Sequence, residues 1–223
     1  MDARGKNIRK ITDFPIDDSW ISSRQGGKEL IVKPDPRIDT AFYIIDVQNW
    51  HRQAIRPDLA YFHDPFFSHD GKQIVFRGAR KIPAGTQSLA DELYIMNDDG
   101  SQLRQLTHYP DKDSTAAWFD YRVGPPVWYL EDEISFSSLR DGSYSIFSIN
   151  VDGNDLRRIT TVENNQVYHS WSHDGSKMVF EQSSGDYEDY DIYLLNAKDG
   201  AVSRLTADTI LQQAPVFVYA YPD

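Results

Sequence analysis

The segment Phe67-Ser68-His69-Asp70-Gly71-Lys72-Gln73-Ile74-Val75-Phe76 returns 104 residues later as Trp171-Ser172-His173-Asp174-Gly175-Ser176-Lys177-Met178-Val179-Phe180. An internal repeat limits the fold more than any single residue does, because every copy must form the same supersecondary unit and bury its faces against its neighbours. A second phrase follows in each copy: Phe42-Tyr43-Ile44-Ile45-Asp46, Leu93-Tyr94-Ile95-Met96-Asn97, Ile146-Phe147-Ser148-Ile149-Asn150 and Ile192-Tyr193-Leu194-Leu195-Asn196, at spacings of 51, 53 and 46 residues. A third phrase closes the unit as Lys10-Ile11-Thr12, Gln105-Leu106-Thr107, Arg158-Ile159-Thr160 and Arg204-Leu205-Thr206, with Gln53-Ala54-Ile55 as its degenerate member.

Within a unit the apolar residues follow strand logic. Both alternating sets of Leu93-Tyr94-Ile95-Met96 and of Ile192-Tyr193-Leu194-Leu195 are apolar, and a strand apolar on both faces lies between two other layers. Asp70-Gly71, Asp141-Gly142 and Asp174-Gly175, then Asn97-Asp98-Asp99-Gly100, Asn150-Val151-Asp152-Gly153 and Asn196-Ala197-Lys198-Asp199-Gly200, read as turns. Glycine supplies the positive φ, and Asn or Asp caps the turn through its side chain. Each unit is therefore expected to be an antiparallel meander of four short strands. Repeating meanders apolar on both faces pack radially, as the blades of a β-propeller.

These phrases together resemble the WD40-like (PD40) β-propeller repeats of TolB and its relatives. A blade in that family reads approximately P-x-W-S-P-D-G-x-x-I-A-F, then I-Y-x-x-N-x-D-G and R-x-L-T. The resemblance runs over nearly the whole chain in four copies. His69 and His173 stand where the family usually has Pro, and the third unit has Tyr129-Leu130-Glu131-Asp132-Glu133 in place of the Ser-Pro-Asp-Gly corner. The expected fold is all-β, a single β-propeller domain over 1–223 with blades near 14–56, 61–107, 114–160 and 166–206. End strands are expected at 6–12 and 214–221. Either those ends pair as a reduced fifth blade, or the sequence is a segment of a longer protein whose ring has the six blades of the resemblance.

Composition narrows the partners. The chain has 34 acidic and 23 basic residues, a net charge of −11, the wrong sign for unaided binding along a phosphate backbone. Nucleic acid is not an expected partner. At 25.6 kDa, roughly 70% of the unfolded surface can be buried, so a core needs no staples. The chain has no cysteine, which excludes disulfides, thiolate metal sites and a Cys nucleophile while leaving the compartment open. No stretch approaches 18 apolar residues, and Met1-Asp2-Ala3-Arg4-Gly5-Lys6 contains no signal-type apolar region, so membrane insertion is not expected.

In a propeller, the loops that join the last strand of one blade to the first of the next gather at one mouth of the central channel, and binding usually resides on loops. Here those loops are 13–19, 56–65, 108–126, 161–170 and 207–214. The candidate rim is Tyr61, His63, Asp64, His108, Trp118, Tyr121, Arg122, Tyr168 and His169, because aromatic and Arg residues dominate interface hot spots. His63, His108 and His169 come from three of these loops and would make a divalent metal site if they converged, but no ligand-spacing motif supports one. The acidic run Gly185-Asp186-Tyr187-Glu188-Asp189-Tyr190-Asp191 lacks the ligand order of an EF-hand and reads as a solvated hairpin tip.

Catalytic signatures are absent: the sequence contains no G-x-S-x-G, H-E-x-x-H, P-loop or G-x-G-x-x-G. No cofactor is expected. The reading is a non-catalytic scaffold for a protein or peptide, with carbohydrate as another ligand class that aromatic rims can take. The resemblance implies a periplasmic or extracellular setting in a bacterial envelope complex. Its alternative is the propeller portion of an enzyme, since similar repeats occur in prolyl-oligopeptidase-type peptidases and in oligogalacturonate-lyase-like enzymes.

Overall fold

A computed structural model describes residues 6, 8–81, 91–109, 122–140, 143–160, 164–183, 189–207 and 210–217, with Arg122 and Arg140 as backbone only. The first sheet contains β1 (Ser22–Arg24), β2 (Glu29–Val32), β3 (Phe42–Asp46) and β4 (Arg52–Ile55). The second contains β5 (Tyr61–Phe67), β6 (Gln73–Ala79), β7 (Glu92–Asn97) and β8 (Arg104–Gln105). The third contains β9 (Arg122–Val123), β10 (Val127–Leu130), β11 (Glu133–Arg140), β12 (Ser143–Asn150) and β13 (Arg157–Arg158). The fourth contains β14 (Asn165–Trp171), β15 (Lys177–Ser183), β16 (Tyr190–Asn196) and β17 (Val202–Arg204). Every sheet is an antiparallel meander in sequence order, one per repeat.

In the third sheet β9 and β10 both pair with β11, so they are one first strand broken between them. Pro125 and Pro126 fall in that break, and proline has no N–H to give the ladder. The first strands of the second and fourth sheets are also irregular, between His63 and Phe66 and between Gln166 and His169.

The repeated corner explains the repeated phrase. Ser68 Oγ donates to Asp70 Oδ1 at 2.8 Å and accepts the Gln73 N–H at 3.0 Å, while Lys72 N–H donates to Asp70 Oδ1 at 3.0 Å. Ser172, Asp174, Ser176 and Lys177 repeat those bonds at 2.7, 2.9 and 3.1 Å. Gly71 and Gly175 sit at φ +72° and +66°, a region that L side chains avoid. His69 and His173 are exposed on these corners.

Three apolar seams join consecutive blades. Ile31, Phe42 and Ile44 meet Phe62, Ile74, Phe76, Tyr94 and Met96 between the first and second. Val75, Leu93 and Ile95 meet Trp128, Ile134, Phe136 and Ile149 between the second and third. Tyr129 and Ile146 meet Trp171, Met178, Phe180 and Leu195 between the third and fourth. Thus β7, with neighbours on both faces, buries Leu93, Tyr94, Ile95 and Met96 to 1% exposure or less, as its pattern requires. The matching β16 departs from expectation: Ile192 and Leu194, on the face opposite the seam residues Tyr193 and Leu195, are half-buried, because among the described residues no further sheet packs on that face.

The end segments also differ from expectation. Of the expected end strands, residues 8–12 and 214–217 form no strand ladder, and residues 7 and 218–221 lie outside the described residues. The N-terminal stretch instead covers the outer face of the first blade, where Ile11, Phe14 and Ile16 pack on Val32, Ala41, Tyr43 and Ile45. Among the described residues no helix is long and apolar enough to cross a membrane.

Candidate functional site

The first strand of each blade lines a common axis. A cavity of about 940 Å³ opens at one end of it, lined by Asp18, Ser19, Trp20 and Ile21, by Tyr61 and Asp64, by Val123 to Pro125, by Val167 and Tyr168, and by Gln213 and Ala214. These residues come from or directly adjoin the five inter-blade segments, with Arg77, Asp91, Ser137, Tyr144, Glu181 and Tyr190 completing the wall from the second and third strands. A second cavity of about 570 Å³ occupies the other end, among corner residues such as Arg24, His69 and His173. Trp20 and Tyr168 line both cavities. Their rings meet at 5.6 Å between centroids, so the first and fourth blades touch across the axis at a waist.

Asp64 organises one wall. It is 2% exposed and sits at φ +52°, in the left-handed region that Asp tolerates better than most residues. Its Oδ1 accepts the Trp20 N–H at 2.9 Å and lies 3.0 Å from His63 Nδ1, while its own N–H donates to Ser19 Oγ at 3.0 Å. Arg77 pairs with Asp64 through Nε and with Asp91 through Nη1 at 3.0 Å. Behind it, Lys33 pairs with Asp17, whose Oδ2 lies 3.3 Å from His63 Nε2. Burial pushes the Asp64 carboxyl up, but the His63 hydrogen bond and the Arg77 charge hold it below the ordinary carboxylate range. Burial raises the Tyr61 hydroxyl to about 12, so Tyr61 is neutral.

The opposite wall carries Glu181, on β15. It is 0% exposed, its Oε1 accepts the Ala214 N–H, and its Oε2 has no hydrogen-bond partner among the described residues. Burial pushes this carboxyl up to about 7, with the Ala214 N–H opposing the shift. Sequence reasoning did not single it out. A signal was present in the blade register: the residue after the second-strand position Val32, Phe76, Phe136 or Phe180 is Lys33, Arg77, Ser137 or Glu181. Two blades place a paired cation there and the fourth an unpaired acid.

Of the residues expected on the rim, Tyr61, Asp64 and Tyr168 line the mouth cavity. His63 is buried behind Asp64. His169 faces the second cavity instead, because the irregularity of β14 turns it into the seam with the third blade. Its Nε2 is 2.8 Å from Ser135 Oγ, which also accepts the Trp171 Nε1–H at 2.9 Å. Burial lowers the His169 imidazole to about 4. His108 is exposed. Among the described residues no group of three or more His, Cys, Asp or Glu could hold a metal ion. Trp118 and Tyr121 lie outside the described residues, and Arg122 is described only as backbone in β9. Of the acidic run, 185–188 also lie outside them.

No protein-family model matches the chain, and no curated protein matches it in sequence. Solved structures match it in shape. TolB from Acinetobacter baumannii superposes with a TM-score of 0.62 at 20% identity, over 86% of this chain and 45% of its own. The fold is a TolB-like β-propeller. Oligogalacturonate lyase from Vibrio parahaemolyticus gives a TM-score of 0.58 at 15% identity, over 86% of this chain and 55% of its own. Puromycin hydrolase gives 0.65 at 10% identity, over 94% of this chain and 34% of its own. The chain thus spans between about a third and just over half of these proteins. The propeller scaffold is common to enzymes and non-enzymes, so function has to be argued from the site.

Proposed function

We propose that this propeller is a non-catalytic scaffold that binds a segment of another polypeptide at the mouth lined by Trp20, Tyr61 and Tyr168. The observation that carries the reading is the cavity itself. It is concave, about 940 Å³ in volume, and mixes aromatic rings with a few fixed polar groups, the combination that recognition sites use. A rigid inner-strand wall with Asp64 held by four neighbouring groups keeps the site preorganised, which lowers the entropy cost of binding.

Two arrangements weigh against a nucleophilic enzyme. Ser135 and His169 are in hydrogen-bond contact, but Ser135 is 0% exposed and also accepts the Trp171 Nε1–H, so its oxygen is enclosed in a blade seam. Ser19, Asp64 and His63 also meet, yet the serine bonds the carboxylate rather than the imidazole, so the serine–histidine contact of a triad is not made. The envelope role and the periplasmic or extracellular location belong to this proposal through the TolB likeness.

The test is selection of a displayed random-heptapeptide library on the folded chain, followed by rebinding to Trp20→Ala/Tyr168→Ala. The expected result is a set of enriched peptides that lose at least tenfold in affinity on the double variant. Enrichment of no peptide, or rebinding unchanged on the double variant, overturns the reading.

A further inference from the structure

Glu181 is a buried carboxylate without a counter-charge in a wall whose other buried ions, Asp64, Arg77 and Asp91, are paired. At the same blade position Lys33 is paired with Asp17, and Arg77 is paired with Asp64 and Asp91. Among the described residues no Lys, Arg or His reaches Glu181, and its Oε2 is buried with no partner. Around the cavity Asp18, Asp64, Asp91 and Glu181 face a single cation, Arg77, already engaged twice. An uncompensated buried carboxylate is costly unless a partner arrives to satisfy it.

We propose that the peptide bound at this mouth presents a basic side chain, lysine or arginine, whose cation pairs with Glu181 between Tyr168 and Tyr190. The proposal rests on the peptide-binding reading above and adds to it the chemistry of the recognised residue. Tyr168, 39% exposed, and Trp20 offer rings in the lining of the same cavity, where a cation gains from the aromatic quadrupole. Tyr168 and Glu181 line the same cavity, so the acid and the ring belong to one site. The net charge of −11 steers such a ligand toward the protein.

Pairing with a cation requires the ionised carboxylate, so binding strengthens as pH rises through the range in which Glu181 gives up its proton. The charged and titratable groups that share the cavity are Asp18 ahead of β1, Tyr61 and Asp64 on β5, Arg77 on β6, Asp91 ahead of β7, Tyr144 on β12, Tyr168 on β14 and Tyr190 on β16. His63 lies behind Asp64, between Asp64 and Asp17. A Glu181→Gln comparison separates their contribution from that of Glu181.

The test takes the most enriched heptapeptide from the library, made synthetically with and without its basic residue replaced by norleucine, and measures affinity at pH 6 and pH 8 for the native chain and Glu181→Gln. The expected results are a Lys or Arg common to the enriched peptides and a loss of about tenfold on norleucine replacement. A further expectation is an affinity gain of severalfold from pH 6 to pH 8 on the native chain that Glu181→Gln abolishes. The norleucine measurement needs only the native protein, and unchanged affinity there overturns the inference even where the variant misfolds. Peptides that bind at the mouth but lack a basic residue, or that lose equal affinity to norleucine on both proteins, overturn this inference and leave the binding reading standing. Absence of any enriched peptide overturns both.

Discussion

The Phe217 N–H donates to Ser170 Oγ at 3.3 Å, repeating across the last blade the bond that Phe67 N–H makes to Ser22 Oγ at 3.1 Å across the first. Ala214-Pro215-Val216-Phe217 aligns with Asp64-Pro65-Phe66-Phe67, and Ala214 and Asp64 share the left-handed backbone, at φ +51° and +52°. The C-terminal segment thus occupies the place of a fifth inner strand without the ladder that would make it one. Ser22→Ala and Ser170→Ala should each cost about 1 kcal/mol. Ser22→Ala should cost more, since Ser22 is 6% exposed and leaves a buried N–H unpaired. Urea unfolding of the two variants measures both.

Ala214 pays for its left-handed backbone with its Cβ, whereas glycine would not. Ala214→Gly should therefore be neutral to stabilising by up to about 1 kcal/mol, and Ala214→Val destabilising. Thermal unfolding of the pair checks the sign, and a destabilised glycine variant would contradict the strained conformation.

Glu181 sets a stability trend with pH. Its folded value, about 7, exceeds its ordinary value of 4.5, so the folded state holds the proton more tightly. The contribution is full below about 4.5 and is lost as pH rises through about 7. Glu181→Gln should match the native stability near pH 5 and exceed it near pH 8 by about 1–3 kcal/mol, read from unfolding curves at the two values.

His169 works in the opposite direction. Its folded value of about 4 lies below the ordinary 6.5, so unfolding takes up a proton once pH falls below 6.5. Stability from the neutral imidazole is present above 6.5 and is lost between 6.5 and 4. His169→Gln should cost about 1–2 kcal/mol at pH 7 through its bond to Ser135, and should flatten the loss between pH 6.5 and 4.5.

Removal of Asp64 strips Arg77 of one of its two carboxylates and leaves the Trp20 N–H and His63 Nδ1 without their acceptor. Asp64→Ala should cost about 3–5 kcal/mol, as breaking a buried pair does, while Asp64→Asn should cost less because it keeps the shape and tolerates the backbone. Denaturant midpoints compare the two directly.

The blade was legible because the corner phrase carries its own hydrogen bonds: Ser68, Asp70 and Gly71 form the turn wherever they occur, and Ser172, Asp174 and Gly175 form it again. The rim was legible in part. Tyr61, Asp64 and Tyr168 reach the mouth cavity, yet His169, one residue beyond Tyr168, turns into a seam. A strand irregularity reverses side-chain direction, and its position depends on pairing with β15 rather than on local pattern. Glu181 was missed because an acid in an alternating strand reads as a solvent-facing residue until the neighbouring blades are laid in register.

Local chemistry in the sequence determined the turns, the four meanders and their order, since those bonds close within about ten residues. Tertiary structure alone decided which inner-strand side chains meet at the axis. It brought Trp20 against Tyr168, paired Arg77 with Asp64 and Asp91, and set Glu181 in the cavity wall, bonded to the Ala214 N–H and without a cation. Each of the last two depends on bringing together groups more than ten residues apart, and the Trp20 contact joins opposite ends of the chain, so only the packing of whole blades could fix them.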